Sequence, residues 1–540
     1  MSSSARTAVE LRELIEGLSR PEAYPHPVER VEVVQTHISC VFLAGEWVYK
    51  LKKPLDLGFL DYSTPEARRA CCEAEVRLNQ RLARDVYQGV AAIWRGPEGQ
   101  LHVGGLPFEG EVVEHAVVMR RLDDARTFAA ALARGELEAG HMDRLGALLA
   151  EFHERAARDH EIARWGGFDV VAGNCRENFA QLAPLCGREL APGVPALDAE
   201  VLRRLERLTE AELQARRALI EARAAAGVPC DTHGDLRLEH VYELPERGPG
   251  QELVVVDCIE FNERFRFADP IAELAFPVME LSRAAREDLA ERLAAAYLRA
   301  REDEAGAALL PLYTAYRATV RAKVSAMKAA EPEVPAAERA RAAQVASGHL
   351  VQALGVLSPP AERPALVLVT GLPGTGKSTL AARLHARGFE WVRSDLVRKE
   401  LAGIAPTARG GPEIYTREFG DRTYEECRAR AERVLARGGR VVVDACFARE
   451  DERQSFLATA RRRGARALVL RCQAAPLEVR GRMEERALVP GPSDADFAVY
   501  EEMAGYFEPS AAPIVEVDTA GDAEATWDAA AAALARAGLL

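Results

Sequence analysis

The chain has 540 residues, more than one hydrophobic core accommodates, so roughly three packed units of ~100–200 residues are expected. Apolar residues at 48% and charged residues at 28% exclude wholesale disorder, and a net charge of −13 provides no overall field for phosphate backbones, so nucleic acid is not the expected partner. Ten scattered cysteines without a CxxC spacing exclude a disulfide frame or a cysteine-rich zinc site and fit a reducing compartment.

In chain order, "MSSSARTAVELRELIEGL" turns amphipathic and acidic at once, without a signal-peptide pattern. No apolar run approaches the ~18 residues of a membrane span, so a soluble, cytoplasmic protein without a membrane partner is expected. Residues 31–52, "VEVVQTHISCVFLAGEWVYKLK", read as a meander turning at Ala44-Gly45. A helix-rich section begins near residue 65, and residues 270–355 carry Ala, Leu, Arg and Glu at helical spacing. The proline-rich "LSPPAERPA" (357–365) is the expected boundary, dividing 1–360 from 361–540. Beyond it "ALVLVT" (365–370), "FEWVR" (389–393), "RVVVD" (440–444), "RALVLR" (466–471) and "PIVEVD" (513–518) alternate with amphipathic helices, which predicts a parallel sheet with right-handed crossovers.

In the first part, "DTHGDLRLEHVYEL" (231–244) places Asp235 on a tight turn that Gly234 allows, where a carboxylate can receive a proton from an acceptor hydroxyl. His233 is expected to brace that turn. "ELVVVDCIEFNERFRFADPIAELAF" (252–276) follows as an apolar strand ending in acids, and Asp257 or Glu260 is suited to Mg²⁺ because hard cations favour carboxylate oxygen.

With these residues, about 30–350 of the chain resembles the aminoglycoside phosphotransferase and choline kinase branch of the kinase-like fold. The resemblance implies a two-lobed α+β domain, with a small lobe over about 25–118 and a helical large lobe over about 119–355. It implies a nucleotide-gripping lysine in "EWVYKLKKPL", Lys50 first and Lys52 second, since both point to one face of a strand. Glu75 pairs with it in that reading, with Glu73 as runner-up, and "VVMRRLDD" (117–124) crosses between the lobes. Glu260 stands where an aspartate is usual for metal, Asp257 is its alternative, and Asp269 is expected to steady the catalytic loop. Two departures stand out. "THISCVF" occupies the place of a glycine-rich loop, and His240 replaces the metal-binding asparagine. An imidazole prefers borderline metals such as Mn²⁺ over Mg²⁺. His240 is therefore open to four readings: a bystander to one metal held by the acids, a Mn²⁺ ligand, a mark of lost phosphoryl transfer, or a histidine hydrogen-bonded within its loop.

In the second part, "VTGLPGTGKSTL" has the GxxxxGKS spacing after an apolar strand and before an amphipathic helix. Gly371, Leu372, Pro373, Gly374, Thr375, Gly376, Lys377, Ser378 and Thr379 form an anion cradle, with Lys377 reaching the β/γ-phosphates and Ser378 ligating Mg²⁺. Asp444 ends its strand where an acid can hold the metal's water shell, or merely cap a turn. Asp395 in "VRSDLVRKEL" follows the second strand, placed to meet an acceptor or to cap a helix. Arg480, Arg482 and Arg486 lie on a helix where they can close on phosphates, or simply be solvated. Residues 365–540 resemble small P-loop kinases of the zeta-toxin, gluconate kinase and polynucleotide kinase type. This implies a three-layer α/β/α domain that uses ATP and Mg²⁺ to phosphorylate a hydroxyl, with Asp395 as the acceptor-activating residue and "SDA" (493–495) following the lid. The expected whole is a bacterial fusion of the two folds, acting on a small-molecule acceptor.

Overall fold

A computed structural model describes residues 3–58, 60–105, 110–190, 196–488 and 491–540. Met1–Val171, Arg217–Leu281 and Arg286–Leu310 form one compact unit, and Ala172–Arg216, Ser282–Ala285 and Pro311–Leu540 a second. The units thus do not part at a single cut at 360/361. Local structure does change there: helix Ala336–Leu357 stops at Ser358, and a new strand begins at Ala365. That helix nevertheless packs in the second unit, because its small residues let it lie close on helix Glu450–Arg463. A Cβ on Gly348 would stand 2.3 Å from the Arg462 carbonyl oxygen.

The first unit carries a sheet of β1 (Val31–Gln35), β2 (Ser39–Ala44), β3 (Trp47–Lys52), β4 (Tyr87–Arg95), β5 (Leu101–Val103) and β6 (Glu111–Arg120), in the order β1-β2-β3-β6-β4-β5 with antiparallel neighbours. The β2–β3 hairpin pairs Ala44 with Trp47, so Gly45 and Glu46 make the turn, and Gly45 takes the left-handed φ of 65° that a glycine tolerates. Strand alternation sends Tyr49 and Leu51 into a core shared with Leu14, Ile15 and Leu18 of helix Ser3–Leu18. Lys50 and Lys52 then face the other side, where helix Pro65–Asn79 packs Cys72 near Val117 and Tyr87. Further on come β7 (Cys230–Asp231), β8 (Val241–Glu243), β9 (Leu253–Val255) and β10 (Phe267–Ala268), paired as two short antiparallel ribbons, β7 with β10 and β8 with β9. Helices Ala139–Arg155 and Glu287–Arg301 lie close through Gly146, whose added Cβ would come within 3.0 Å of the Tyr297 amide nitrogen.

The second unit has β11 (Ala365–Thr370), β12 (Glu390–Arg393), β13 (Arg440–Asp444), β14 (Arg466–Gln473) and β15 (Val515–Asp518), all parallel, in the order β12-β13-β11-β14-β15. Helices cover both faces. Leu380, Leu384 and Leu534 pack on one side, and Val397, Val434 and Phe456 on the other, which makes three α/β/α layers. Strand order reverses around β11, the position at which ligands bind beyond the strands' carboxyl ends in such sheets. No helix among the described residues is long and apolar enough to cross a membrane.

Leu470 on β14 is fully buried between Val369 of β11 and Val515 of β15. Leu470→Ala is expected to destabilise the second unit by about 2–5 kcal/mol, read as a lower urea midpoint; an unchanged midpoint would contradict this packing.

Candidate functional site

In the second unit the loop after β11 curls because Gly371, Gly374 and Gly376 take φ of 136°, 80° and 85°. A Cβ on Gly371 would meet the Cys472 carbonyl oxygen at 2.5 Å, so this turn has no room for a side chain. Helix Lys377–His385 starts directly from Gly376 and aims its free N–H groups into the loop. Lys377 Nζ donates to the Leu372 carbonyl oxygen at 2.8 Å, folding over the loop it would serve. Thr375 Oγ1 donates to the same carbonyl at 2.8 Å, and Thr379 N to Gly376 O at 3.1 Å. Leu372 packs beside Val479, Met483 and Tyr500, and Pro373 is buried.

Ser378 Oγ donates to Asp444 Oδ2 at 2.7 Å. Burial pushes the Asp444 carboxyl up, and Lys377 and the Ser378 hydroxyl offset that only in part. A hydroxyl and a carboxylate at this separation form an oxygen donor pair that suits Mg²⁺. Asp395, half-buried, is the second residue of helix Ser394–Leu401, which leaves β12 beside β13. Its negative charge helps raise the Asp444 carboxyl and the Cys446 thiol, although burial is the larger cause for each, so the three groups share one neighbourhood.

The three lid arginines part company on helix Pro476–Ala487. Arg480 lies over the Phe497 ring at 4.3 Å, and Arg486 donates to the Ala495 carbonyl. Arg482 alone turns toward the loop, donating to both oxygens of Thr519, whose hydroxyl in turn bonds the Thr375 carbonyl at 2.8 Å. Sequence reading passed over Arg393. Its Nε lies 3.9 Å from Asp444 Oδ2, buried and with no hydrogen-bond partner among the described residues, and its guanidinium covers Trp391 at 4.6 Å. Its place at the end of the strand that leads to Asp395 was the available signal.

In the first unit, β3 and helix Pro65–Asn79 bring both candidate lysines to one acid. Lys50 Nζ reaches Glu75 Oε1 at 2.9 Å and Asp257 Oδ1 at 2.6 Å. Lys52 pairs with the other Glu75 oxygen and with Glu260, whose Oε1 also accepts from Tyr62 OH at 2.5 Å. Burial alone would lower the Lys50 ammonium, but Asp257 and Glu75 outweigh it and hold it well above its usual value. Lys50 in turn holds the Asp257 carboxyl far below the carboxylate range. Glu73 instead pairs with Arg69 at the surface, 2.9 Å away. Asp257 takes a left-handed φ of 65°, uncommon outside glycine, and it is held there by neighbours: Tyr87 OH is 3.1 Å from its backbone N, and Asn79 Oδ1 accepts the next amide at 2.9 Å.

His233 braces the 231–240 turn, with Nε2 2.9 Å from the Val256 carbonyl oxygen. The expectation for Asp269 fails. It forms a two-point pair with Arg223, at 2.7 and 3.0 Å, and accepts the Ile271 amide. The acid that steadies the loop is Glu273, one turn further along the helix. Its Oε1 accepts both the His233 and the Gly234 amides at 2.7 Å, its Oε2 lies 2.7 Å from His153 Nε2, and Tyr297 OH holds His153 Nδ1 at 2.8 Å. Burial would raise Glu273, but the hydrogen bond from His153 leads the contacts that bring it down to about 2. Asp235 stays half-buried at the turn.

His240 is hydrogen-bonded within its loop, Nδ1 to the Asp235 carbonyl oxygen at 2.8 Å, while Nε2 lies 3.8 Å from Asp257 Oδ2. Of the residues proposed from sequence as metal ligands, His240 lies beside Asp257 while Glu260 turns to Lys52, and among the described residues no three His, Cys, Asp or Glu side chains gather as a ligand set. The reason is electrostatic, since each of the two acids already faces a lysine ammonium.

Burial pushes His233 from its ordinary 6.5 down to about 4. The unfolded chain therefore takes up a proton near pH 6.5 that the folded loop refuses until about pH 4, so acid favours unfolding across that window. At about 1.4 kcal/mol per pH unit, the first unit is expected to lose roughly 3 kcal/mol between those values. His233→Gln should flatten that slope in urea unfolding run against pH; an equal slope in the variant would refute the assignment.

The AAA domain family matches residues 366–510. Among solved structures, a gluconokinase from Sinorhizobium meliloti is 20% identical, aligned over 32% of this chain and 93% of its own, with a TM-score of 0.25. A choline/ethanolamine kinase family protein from Mesorhizobium loti is 14% identical over 66% of this chain and 96% of its own, with a TM-score of 0.37. Uncharacterized proteins of Mycobacterium tuberculosis and Mycobacterium bovis are 33% identical over 429 residues, 78% of this chain and 79% of theirs. That span takes in most of both units, and the chain belongs to the same family as these mycobacterial proteins, with an AAA-type P-loop domain in its C-terminal part.

Proposed function

We propose that the chain is an ATP-dependent phosphotransferase that passes a phosphoryl group to a small-molecule hydroxyl, with the second unit as its engine. One observation carries this reading: an anion cradle, the Ser378–Asp444 oxygen pair at 2.7 Å and the Asp395 carboxylate converge at the carboxyl edge of one parallel sheet. The phosphates of ATP would lie on the amides of 371–379 and the positive end of helix Lys377–His385, with Lys377 leaving Leu372 for the β/γ-phosphates. Ser378 and Asp444 would hold Mg²⁺, which when bound neutralises phosphate charge. Asp395 takes the hydroxyl proton as the acceptor oxygen bonds to the γ-phosphorus, and the bond from that phosphorus to the bridging oxygen breaks to leave ADP. Arg482, turned toward the cradle through Thr519, would face the phosphates. An overall charge of −13 favours a small acceptor over nucleic acid.

For the first unit, the pairing of Asp257 and Glu260 with lysines favours a sensing role, a kinase-like unit whose ligand regulates turnover in the second. The competing role makes Asp235 a second proton acceptor, Lys50 with Glu75 the nucleotide grip, and Asp257, Glu260 and His240 the holders of Mg²⁺ or Mn²⁺.

Calorimetric titration of ATP with Mg²⁺ into the full chain is expected to lose the P-loop site in Lys377→Ala, whereas Asp395→Asn keeps ATP affinity and lowers turnover by about 10²–10⁴-fold. Equal turnover in Asp395→Asn would remove Asp395 from the chemistry. Asp235→Asn is expected to leave ATP turnover unchanged; a fall of the same size would make the first unit a catalyst.

A further inference from the structure

The "SDA" run after the lid plays no part in the chemistry above, yet its aspartate is among the most heavily bonded acids of the second unit. Asp494 Oδ1 lies 3.0 Å from Lys399 Nζ, and its Oδ2 accepts the Gly410 amide at 2.9 Å and the Tyr415 hydroxyl at 2.5 Å. The Lys399 side chain is 1% exposed, and a buried ammonium is tolerated only against a well-placed anion. Burial would raise the Asp494 carboxyl, but Tyr415, Gly410 and Lys399 together hold it below its usual value, so it stays charged.

What these donors belong to gives the pair its meaning. Lys399 sits one helical turn after Asp395 on helix Ser394–Leu401, so fixing one fixes the approach of the other. Arg398 of the same helix donates to the Ile414 carbonyl at 2.7 Å and lies over the Tyr415 ring at 5.3 Å, which ties Ile414 and Tyr415 to that helix as well. Behind Asp494 runs a second chain of contacts. Ala495, its neighbour, accepts from Arg486 of the lid helix, and Val479 and Met483 of that helix pack on Leu372 in the phosphate loop. Phosphate loop, lid helix, Asp494 and the Asp395 helix therefore form one contiguous path.

We propose that Asp494 is a positioning residue that transmits nucleotide occupancy of the 371–379 loop to the Asp395 helix and the 410–415 segment, so that the acceptor side becomes ordered once nucleotide is bound. This rests on the P-loop reading given above. Asp494 touches neither reacting atom; it acts through Lys399, Gly410 and Tyr415.

Hydrogen exchange on the full chain, with and without Mg²⁺ and the non-hydrolysable analogue AMP-PNP, tests it. In the wild type the analogue is expected to slow exchange at 371–379 and also at 395–415. In Asp494→Ala the first protection persists and the second is lost, and ATP turnover falls while KM for ATP is kept. Tyr415→Phe, which removes one of three donors at a half-exposed ring and leaves the ion pair, should lose part of the 395–415 protection and guards against a misfolded alanine variant. Asp494→Glu should restore part of it. Retained protection at 395–415 in both Asp494→Ala and Tyr415→Phe would overturn the proposal. So would wild-type protection confined to 371–379. Absence of protection at 371–379 in the wild type would overturn the P-loop reading and this inference with it.

Discussion

Taking a carboxylate out of water costs several kcal/mol unless donors meet its oxygens, and the loop at the centre of the first unit hangs on one that is met on both sides. Glu273 spends one oxygen on the amides of His233 and Gly234 and the other on His153, which Tyr297 holds from beyond. His153, Glu273 and Tyr297 are all fully buried, so no solvent competes for these bonds. The direction of Asp235 is therefore set by a helix some forty residues downstream as well as by the bonds of His233 and His240 within its own loop. Gly234 is the matching constraint. It takes φ of 90°, and a Cβ there would press on the Phe265 carbonyl oxygen at 3.0 Å.

The same rule of pairing shapes the space in front of that loop. Glu75, Asp257 and Glu260 face Lys50 and Lys52, three acids against two bases, with Tyr62 donating to Glu260. A sixth group, His240 Nε2, stands 3.8 Å from Asp257 at the edge of this set. Incoming phosphates would add negative charge to a cluster already short of positive charge, so binding demands a cation or a rearranged lysine. In the second unit Lys377 stands at a loop whose amides and helix end carry positive potential before any ligand arrives, and the Ser378–Asp444 pair offers its oxygens to a cation.

Legibility in the sequence followed the distance over which each feature is determined. The phosphate loop was readable residue by residue because nine consecutive positions build it, and all five strands of its sheet were marked by short runs alternating with amphipathic helical stretches. Strand parity placed Lys50 and Lys52 on one face but gave no means to choose, and the structure explains why the choice was false: the two oxygens of Glu75 take one lysine each. Asp269 drew attention because it sits in a "DP" turn, whereas the acid that meets the loop, Glu273, lies in an ordinary apolar helix. Only the pairing of β7 with β10 and the register of that helix decide between them. A change of local structure at Ser358 was legible, but the units do not part there, and the allegiance of helix Ala336–Leu357 depends on tertiary packing at Gly348, which a sequence pattern does not encode.

Asp494 shows the same limit from the other side. Its motif was visible, its partners were not, because Lys399, Gly410 and Tyr415 lie 79–95 residues away. An ion pair that joins segments so far apart in the chain links the elements on either side of it. One end is the lid helix on Leu372 and the other is the helix of Asp395. A phosphotransferase must keep water from its phosphoryl donor until the acceptor is seated. On the proposed reading, a carboxylate tied to both sides would meet that need without touching the reacting atoms, since an acceptor wall ordered only beneath an occupied phosphate loop would give water no aligned Asp395 to use.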